Sequence, residues 1–473
     1  MADAVAQAER SGTLRADVPF ETLGPRLRGG LLLPDDPGYD DARALWNAMF
    51  DRRPAAIARP LGVADVVEAV RFGREHGLPI AVKGGGHNIA GLAIADGSLL
   101  LDMSRMRGVV VDPAERTAIA QAGCLLGDVD RETQVHGLAT VLGFVSSTGI
   151  AGLTLGGGFG YLTRRFGWTS DNVLELQAVT ADGSVVRASE RENPDLFWAM
   201  RGGGGNFGVA TSFRYRLHEL GPEILGGPVA WTADDAPAVL DTYQALIADA
   251  PPELNVVAIY RPAPPAPWIP QEHHFKPILV LMICDTGPVD EAEARVRALR
   301  SVGKPIGSAL ARRPYLALQS LLDATQPKGR RYYWKSEYLP TVEPDVLSYV
   351  ADRLPTFPSP HSGIIVFPIH GAHQRLPDDH SAVGNRNAGA VLNIGASWER
   401  AEDDEQNIDW ARETWRGARG FSTGGAYINF LTEEEGEDRI RACYGGNLER
   451  LARVKAAWDP DNLFRLNKNI APS

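Results

Sequence analysis

One histidine stands in a setting suited to chemistry: Lys83-Gly84-Gly85-Gly86-His87-Asn88-Ile89-Ala90-Gly91, a glycine-rich turn directly after the apolar run Leu78 to Val82. Three consecutive glycines let main-chain N–H groups approach a pyrophosphate without obstruction by Cβ, and they accept the positive φ that a tight anion-cradling loop demands. A histidine on such a loop faces what the loop holds. Its neutral imidazole is nucleophilic near neutral pH, where a lysine amine is protonated. A glycine-rich turn alone often does no more than join a strand to the next element, and a lone histidine can simply cap the loop. Two further clusters, Gly156-Gly157-Gly158-Phe159-Gly160 and Gly202-Gly203-Gly204-Gly205-Asn206-Phe207-Gly208, favour a large phosphate-bearing cofactor.

Taken in order, these motifs resemble the FAD-linked oxidases of the vanillyl-alcohol-oxidase fold, and within them the berberine-bridge-enzyme-like group. The resemblance starts at Arg53-Pro54-Ala55-Ala56-Ile57-Ala58-Arg59-Pro60 and passes through all three glycine clusters. It ends in Trp458-Asp459-Pro460-Asp461-Asn462-Leu463-Phe464-Arg465-Leu466-Asn467-Lys468-Asn469-Ile470, so it covers nearly the whole chain. It implies FAD as the cofactor and places His87 where the family bonds a histidine ring to the 8α-methyl of the isoalloxazine. Such a flavin cannot dissociate, and in the family the bond also raises its potential. Many members add a cysteinyl bond from a G-x-C-P-T-V-G type segment before the second glycine cluster. Here the segment reads Gly143-Phe144-Val145-Ser146-Ser147-Thr148-Gly149. Aligned from Gly149 through Gly160, it puts Val145 at the cysteine position, so attachment through His87 alone is expected. Doubly attached members tend to have open sites for oligosaccharides, and Val145 therefore weighs against a carbohydrate oxidase. Cys124 sits too early in the motif order to substitute.

The resemblance also assigns roles around the flavin. Lys83, Gly84, Gly85, Gly86, Asn88 and Gly91 belong to the first cofactor loop; Val145, Ser147, Thr148, Gly149 and Gly152 follow, with Gly157, Gly158 and Gly160 of the second cluster. Asn206, Gly208 and Val209, with Gly84 to Gly86, wrap the pyrophosphate and adenine through main-chain groups, and Asn467 closes the site from the C-terminus. Thr148 falls where typical oxidases keep a valine beside the oxygen pocket and typical dehydrogenases a leucine. Threonine is nearly isosteric with valine, and its hydroxyl either points toward the flavin N5 region or bonds a local carbonyl. Phe159 stands where some members keep a tyrosine base, and phenylalanine cannot accept a proton. Tyr427 and Asn429, in Gly424-Gly425-Ala426-Tyr427-Ile428-Asn429-Phe430, are the alternatives. Tyr427 acts as a base if a neighbouring charge lowers its pKa from about 10, or else is a half-buried strand tyrosine with a satisfied hydroxyl. Tyr333, Lys335, Glu337, Phe367 and His370 are candidates for the substrate-facing sheet; which strand face meets the flavin stays open.

Elements that could position these groups are visible in the hydrophobic pattern. Val63 to His76 has helical apolar spacing, and strands are expected at Leu78 to Val82 and Ser98 to Leu101. A hairpin pairs Gly108 to Val111 with Thr117 to Gln121, and a helix spans Gly127 to His136. Val173 to Thr180 and Ser184 to Ala188 flank the Asp182-Gly183 turn. A short helix covers Asn193 to Met200, and Val209 to Leu217 alternates like a half-buried strand. This is an α+β cofactor domain, not a Rossmann unit, because a GxGxxG opening a helix after the first strand is missing. From Gly221 the pattern changes to long strands, Pro277 to Cys284, Arg331 to Leu339 and Gly363 to His370, separated by helices such as Asp235 to Ala248 and Val289 to Val302. That predicts an inserted antiparallel sheet covered by helices on one face. The proline-rich stretch Arg261 to Pro267 is expected to be a surface loop. The expected division is a flexible N-terminus over 1–17, a PCMH-type FAD-binding domain over 18–220 with a return over 421–473, and a substrate domain over 221–420.

Composition agrees with a large enzyme. The 473 residues hold 48 basic and 59 acidic side chains, a net charge of −11, with the basic residues scattered. Nucleic acid and anionic membrane are therefore unexpected partners. No run approaches the roughly 20 apolar residues of a membrane span, and no signal peptide is evident, so a cytoplasmic protein, monomeric or homodimeric, is expected. The three cysteines, Cys124, Cys284 and Cys443, have no metal-binding or disulfide spacing. The sequence thus predicts an oxidase with mono-covalent FAD, acting on a small or medium phenolic, polyketide or alkaloid-like molecule and reducing O2 to H2O2. A flavin-dependent dehydrogenase using another acceptor, a carbohydrate oxidase and a non-redox flavin-containing binder are the alternatives.

Overall fold

The structure, a computed structural model, describes residues 18–473; the expected flexible N-terminus over 1–17 lies outside the described residues. The helix Val63–Glu75 buries Val66, Ala69, Val70 and Phe72 along one stripe, as the 3.6-residue period requires. Gly73 lets the next strand approach: a Cβ there would lie 2.9 Å from the Ile80 side chain. The chain turns at Gly77 (φ +59°) into the strand Ile80–Lys83. This strand and Ala56–Ala58 both pair in parallel with Leu99–Asp102, and Leu31–Leu32 closes the far edge. The strand core Leu99, Leu100 and Leu101 is buried on both faces, which explains its unbroken apolar run.

A second, antiparallel sheet runs in the order Val109–Asp112, Thr117–Gln121, Val209–Arg216, Val173–Val179, Val185–Ser189. Both predicted hairpins are present in it, the second closed by Gly183 (φ +78°) with Asp182 accepting from Ser184 N at 3.0 Å.

Residues 224–398 build an eight-stranded sheet in which every pair is antiparallel. On one face Val256, Ala258, Tyr260, Leu281, Val366 and Ile394 pack against the helices Ala236–Ala248, Pro344–Ala351 and Asp404–Ala418. On the other face Val257, Ile259, Val280, Phe367 and Val391 meet Phe159, Tyr161, Trp168 and Tyr427. Helices thus cover one face, as the block pattern implied, and the glycine-rich segments lie under the other. The C-terminal helix Leu448–Trp458 and the tail return Leu451, Val454, Phe464 and Ile470 to the first core.

Within the inserted sheet the structure departs from the sequence reading. The strands Ile224–Thr232, Leu254–Pro262 and Ala390–Trp398 were not anticipated, although all three are paired on both sides within the sheet. The expected helix over Val289 to Val302 is broken into Val289–Arg295 and Arg297–Ser301. Arg261 and Pro262 belong to a strand, not a surface loop; Pro262 is tolerated because it ends the strand opposite Pro277. Ala263 continues the pairing by donating to Lys276 O at 2.9 Å, and is fully buried.

Candidate active site

A cavity of about 370 Å³ lies between the glycine-rich segments and the helix-free face of the large sheet. Its floor begins where the strand Ile80–Lys83 gives way to Gly84–Gly86. A Cβ on Gly85 would lie 2.3 Å from Gly149 N, so the first loop and the start of the helix Ile150–Leu155 touch backbone to backbone. Only glycine permits that approach. His87 projects from this junction. Its Nε2 lies 3.0 Å from Ser147 Oγ, and its ring stacks on Trp46 at 4.8 Å between centroids and 15° between planes. Trp46 in turn stacks on Tyr332 at 3.6 Å and donates its backbone N–H to Gly86 O at 3.1 Å. The His87 ring is therefore held in one plane by a residue upstream and a strand residue far downstream. Its exposed part faces the cavity and not bulk water, and burial pushes its pKa down to about 4. The imidazole is neutral across the physiological range.

The second glycine-rich wall is formed by Gly204, Gly205, Asn206 and Gly208, with Val209 behind them. Asn206 spends its side chain on the C-terminal segment: Nδ2 donates to Gly203 O (2.8 Å) and Lys468 O (3.3 Å), and Oδ1 accepts from Ile470 N (3.0 Å). Lys455 Nζ donates to Asn206 O at 2.7 Å. Asn467 reaches Gly205 O through Nδ2 at 3.2 Å, while its buried Oδ1 has no partner within the protein. A side-chain-free cradle with an unpaired buried acceptor fits a large polar cofactor such as FAD.

Between these walls stand Asn88, Val145, Thr148, Gly152, Phe159, Tyr427 and Asn429. Tyr427 is fully buried and caps a short 3-10 turn, Ile428–Phe430; it is not the half-buried strand residue considered from the sequence. Its hydroxyl oxygen accepts from Gly158 N at 3.1 Å and from Asn429 Nδ2 at 2.9 Å. Burial pushes its pKa above the ordinary phenol value, and no cation acts to lower it. Asn429 also donates to Gly152 O at 3.2 Å, across Gly156, where a Cβ would lie 2.3 Å from Asn429 Oδ1.

Several predicted residues lie off the cavity. Lys83 turns inward to Ala42 O and to Asp102 (3.4 Å), so it pins two strands together. Ser147 reaches the site only through His87. Gly91 seats Phe50, Gly160 lies on Leu142 O, and Gly157 and Gly158 take positive φ behind the wall. His370 follows the end of the strand Gly363–Pro368 and lies beside Gly389 and Arg164, with Nδ1 buried and unpaired. The period-two alternation settles the face of the sheet. Tyr333, Lys335 and Glu337 point to the helix side, where Lys335 pairs with Glu435 at 2.7 Å and Glu337 with Arg439 at 3.0 Å. Of the five candidates only Phe367 lines the cavity.

The sequence reading missed Trp46, Arg261, Trp334, Asn393 and Ser397, all of which line the cavity. A signal for two of them existed. In Leu392-Asn393-Ile394-Gly395-Ala396-Ser397-Trp398 small or polar residues alternate with apolar ones, a half-buried strand whose polar side meets the cavity. No cysteine lines the cavity among the described residues; Cys124, Cys284 and Cys443 are buried elsewhere.

Comparison with known proteins accords with this geometry. Residues 54–189 match a family model described as FAD binding domain, and residues 426–471 match one described as Berberine and berberine like. An FAD-linked oxidoreductase of Dictyostelium discoideum is 31% identical over 431 residues, covering 90% of this chain and 91% of that protein. The (R)-6-hydroxynicotine oxidase of Paenarthrobacter nicotinovorans is 33% identical over 461 residues, covering 94% and 97%. The crystal structure of 6-hydroxy-D-nicotine oxidase from Arthrobacter nicotinovorans superposes with a TM-score of 0.84 at 29% identity, covering 94% of this chain and 98% of that one. Fold and site together define an FAD-dependent oxidoreductase with a PCMH-type cofactor domain. The chain belongs to the berberine-bridge-enzyme-like FAD-linked oxidoreductases.

Proposed function

We propose that the protein is an oxidase whose FAD is attached through His87 alone and which oxidises a small or medium hydroxylated metabolite of phenolic, polyketide or alkaloid type. The observation that carries this reading is His87 itself: a neutral imidazole, oriented by Ser147 and Trp46, on the floor of the cavity. The name of the relative (R)-6-hydroxynicotine oxidase, with its hydroxylated nitrogen heterocycle, supports the substrate class and the use of oxygen. When bound, FAD supplies a two-electron acceptor that takes a hydride equivalent from a substrate C–H and passes the electrons to O2, giving H2O2.

The chain's own groups have the following roles. Main-chain N–H groups of Gly84–Gly86 and of Asn206 and Gly208 hold the diphosphate without a basic side chain. Asn467 Oδ1 accepts from a cofactor donor, since it has no partner of its own. Thr148 borders the cavity with a side chain of valine's size and leaves room for oxygen. Tyr427 stays protonated at neutral pH. With its oxygen already accepting two hydrogen bonds, it offers its O–H to a substrate oxygen and orients it. Val145, and the absence of any cysteine from the cavity lining among the described residues, support a single attachment. Residues 18–220 with 421–473 carry the cofactor, and 221–420 present the substrate-facing sheet.

Anaerobic mixing with a phenolic alcohol panel tests the reading. A substrate is expected to bleach the bound flavin, and admission of air to restore it with about one H2O2 per turnover. Bleaching without reoxidation by air would favour a dehydrogenase using another acceptor.

A further inference from the structure

The roof of the cavity has a feature that its catalytic assignment does not use. Strand register places Gly363 opposite Gly395 and Gly395 opposite Trp334, and Arg261, the residue after the last pair Tyr260–Ile364, borders Gly363, so these four residues form one row across four strands. All four line the cavity. Neither glycine has a positive φ, so the backbone there would accept any residue, and what the glycines provide is space. A Cβ on Gly395 would lie 3.4 Å from Trp334 Nε1, and one on Gly363 would lie 3.5 Å from the Arg261 Cβ. The indole leans over one glycine and the arginine stem borders the other. Between them is a trough floored by bare backbone, of the kind a flat ring can enter.

Arg261 makes no ion pair with a carboxylate among the described residues; its Nε donates only to Pro262 O at 3.2 Å. Its pKa is pushed down to about 10 by burial and by Arg330, which leaves the guanidinium charged at neutral pH. His361, also on the cavity, is bonded to Glu399 at 3.1 Å, so that nearby acid is already engaged. In the adjacent row Ile259 pairs with Ile365, and Ile365 with Asn393. Asn393 is 4% exposed and its Oδ1 has no partner, although the residue lines the cavity. A buried acceptor without a partner is destabilising unless a ligand donates to it.

We infer that this row is a substrate-anchoring slot for a planar aromatic acid: Arg261 takes the carboxylate, Gly363 and Gly395 admit the ring beside Trp334, and Asn393 accepts from a ring hydroxyl or N–H. This deepens the proposed function, on which it rests, by naming the charge that the substrate carries. Arg261 is here a specificity-determining residue and takes no part in bond breaking. Guanidinium and carboxylate match in a two-point hydrogen-bonded pair that an uncharged amide cannot reproduce.

The test is calorimetric titration of the purified, flavin-loaded protein with 4-hydroxybenzoate and with 4-hydroxybenzamide, which share shape but not charge. The wild type is expected to bind the carboxylate at least roughly ten-fold more tightly than the amide. Arg261→Gln should erase that preference by weakening the carboxylate alone, whereas Arg261→Lys retains part of it. Gly395→Val fills the trough and should weaken both probes equally. Thermal melting checks that each variant folds. Should Arg261→Gln not fold, the wild-type ratio and the Gly395→Val titrations still decide the question. Equal affinity of the wild type for the two probes, no binding of either, or a preference that survives Arg261→Gln in folded protein would overturn the slot. A protein that binds flavin and releases H2O2 but shows no such preference loses only this inference; one that holds no flavin loses the functional reading instead.

Discussion

At the level of single residues, burial sets the protonation states on which the chemistry of the site depends. His87, pushed down to about 4, has the neutral ring needed to form a bond to the flavin at every pH above that value. Incorporation of FAD into apoprotein is therefore expected to be flat from pH 8 to about 5 and to fall only below that, measured as acid-stable absorbance. A fall already centred near pH 6.5, the ordinary imidazole value, would contradict the buried geometry. Tyr427 is pushed the other way and stays a phenol. Tyr427→Phe should lower kcat roughly ten- to a hundred-fold by removing one positioned donor, without changing the pH profile between 7 and 9. A wild-type rise in kcat across that range that vanishes in the variant would instead make Tyr427 the base. The first glycine loop and His87 were legible because triple glycine and a following histidine are rare together and occur in order with two other clusters. Trp46 was not legible: its contact with His87 depends on a fold that also brings Tyr332 into the stack, and nothing local to Trp46 reports it.

Elements transmit this arrangement through a few buried ties. The end of the helix Leu448–Trp458 shows how the C-terminal motif acts: Asp459 accepts from Lys455 Nζ (2.6 Å), Leu463 N (2.8 Å) and Phe464 N (2.9 Å). Lys455, itself fully buried, also holds Asn206 O and Phe464 O. One ion pair thus links the last helix, the tail and the third glycine cluster. Asp459→Ala leaves Lys455 buried without its counter-charge and is expected to cost about 3–5 kcal/mol in urea unfolding. A change under about 1 kcal/mol would show that the pair is not the tie described. Helices and hairpins were read well from sequence because their signals are local, as with Asp182-Gly183 and the stripe from Val66 to Phe72. The strand Leu254–Pro262 was missed because its proline end resembles a loop, and the mispredicted Arg261 is the residue that proved to line the cavity.

For the whole molecule, the sheet of residues 224–398 is laid by its open face on the glycine-rich cofactor region, and the cavity exists only because the two meet. Sequence order told that a sheet would be inserted. It did not tell which face would be turned inward, so Tyr333, Lys335 and Glu337 stood as candidates although they lie on the helix side, and Trp334 and Asn393 were passed over. The same burial makes the folded protein acid-sensitive. His218, His370 and His373 are each pushed down to about 4, mainly by burial. Their unfolded value is near 6.5, so between these limits the unfolded chain binds more protons, and stability is full above about pH 6.5 and lost as pH falls toward 4. Melting temperature should decline through that window, with net proton uptake on unfolding. A melting temperature unchanged from pH 7 to 4.5 would rule this out.

The claim on which the rest depends is the single bond at His87, and acid precipitation of the purified protein followed by mapping of the flavin-bearing peptide addresses it directly. The expected result is a yellow washed pellet with the flavin on the peptide containing His87 and on no cysteine peptide, and a colourless pellet from His87→Ala. A colourless wild-type pellet, or flavin found on any other residue, would contradict it.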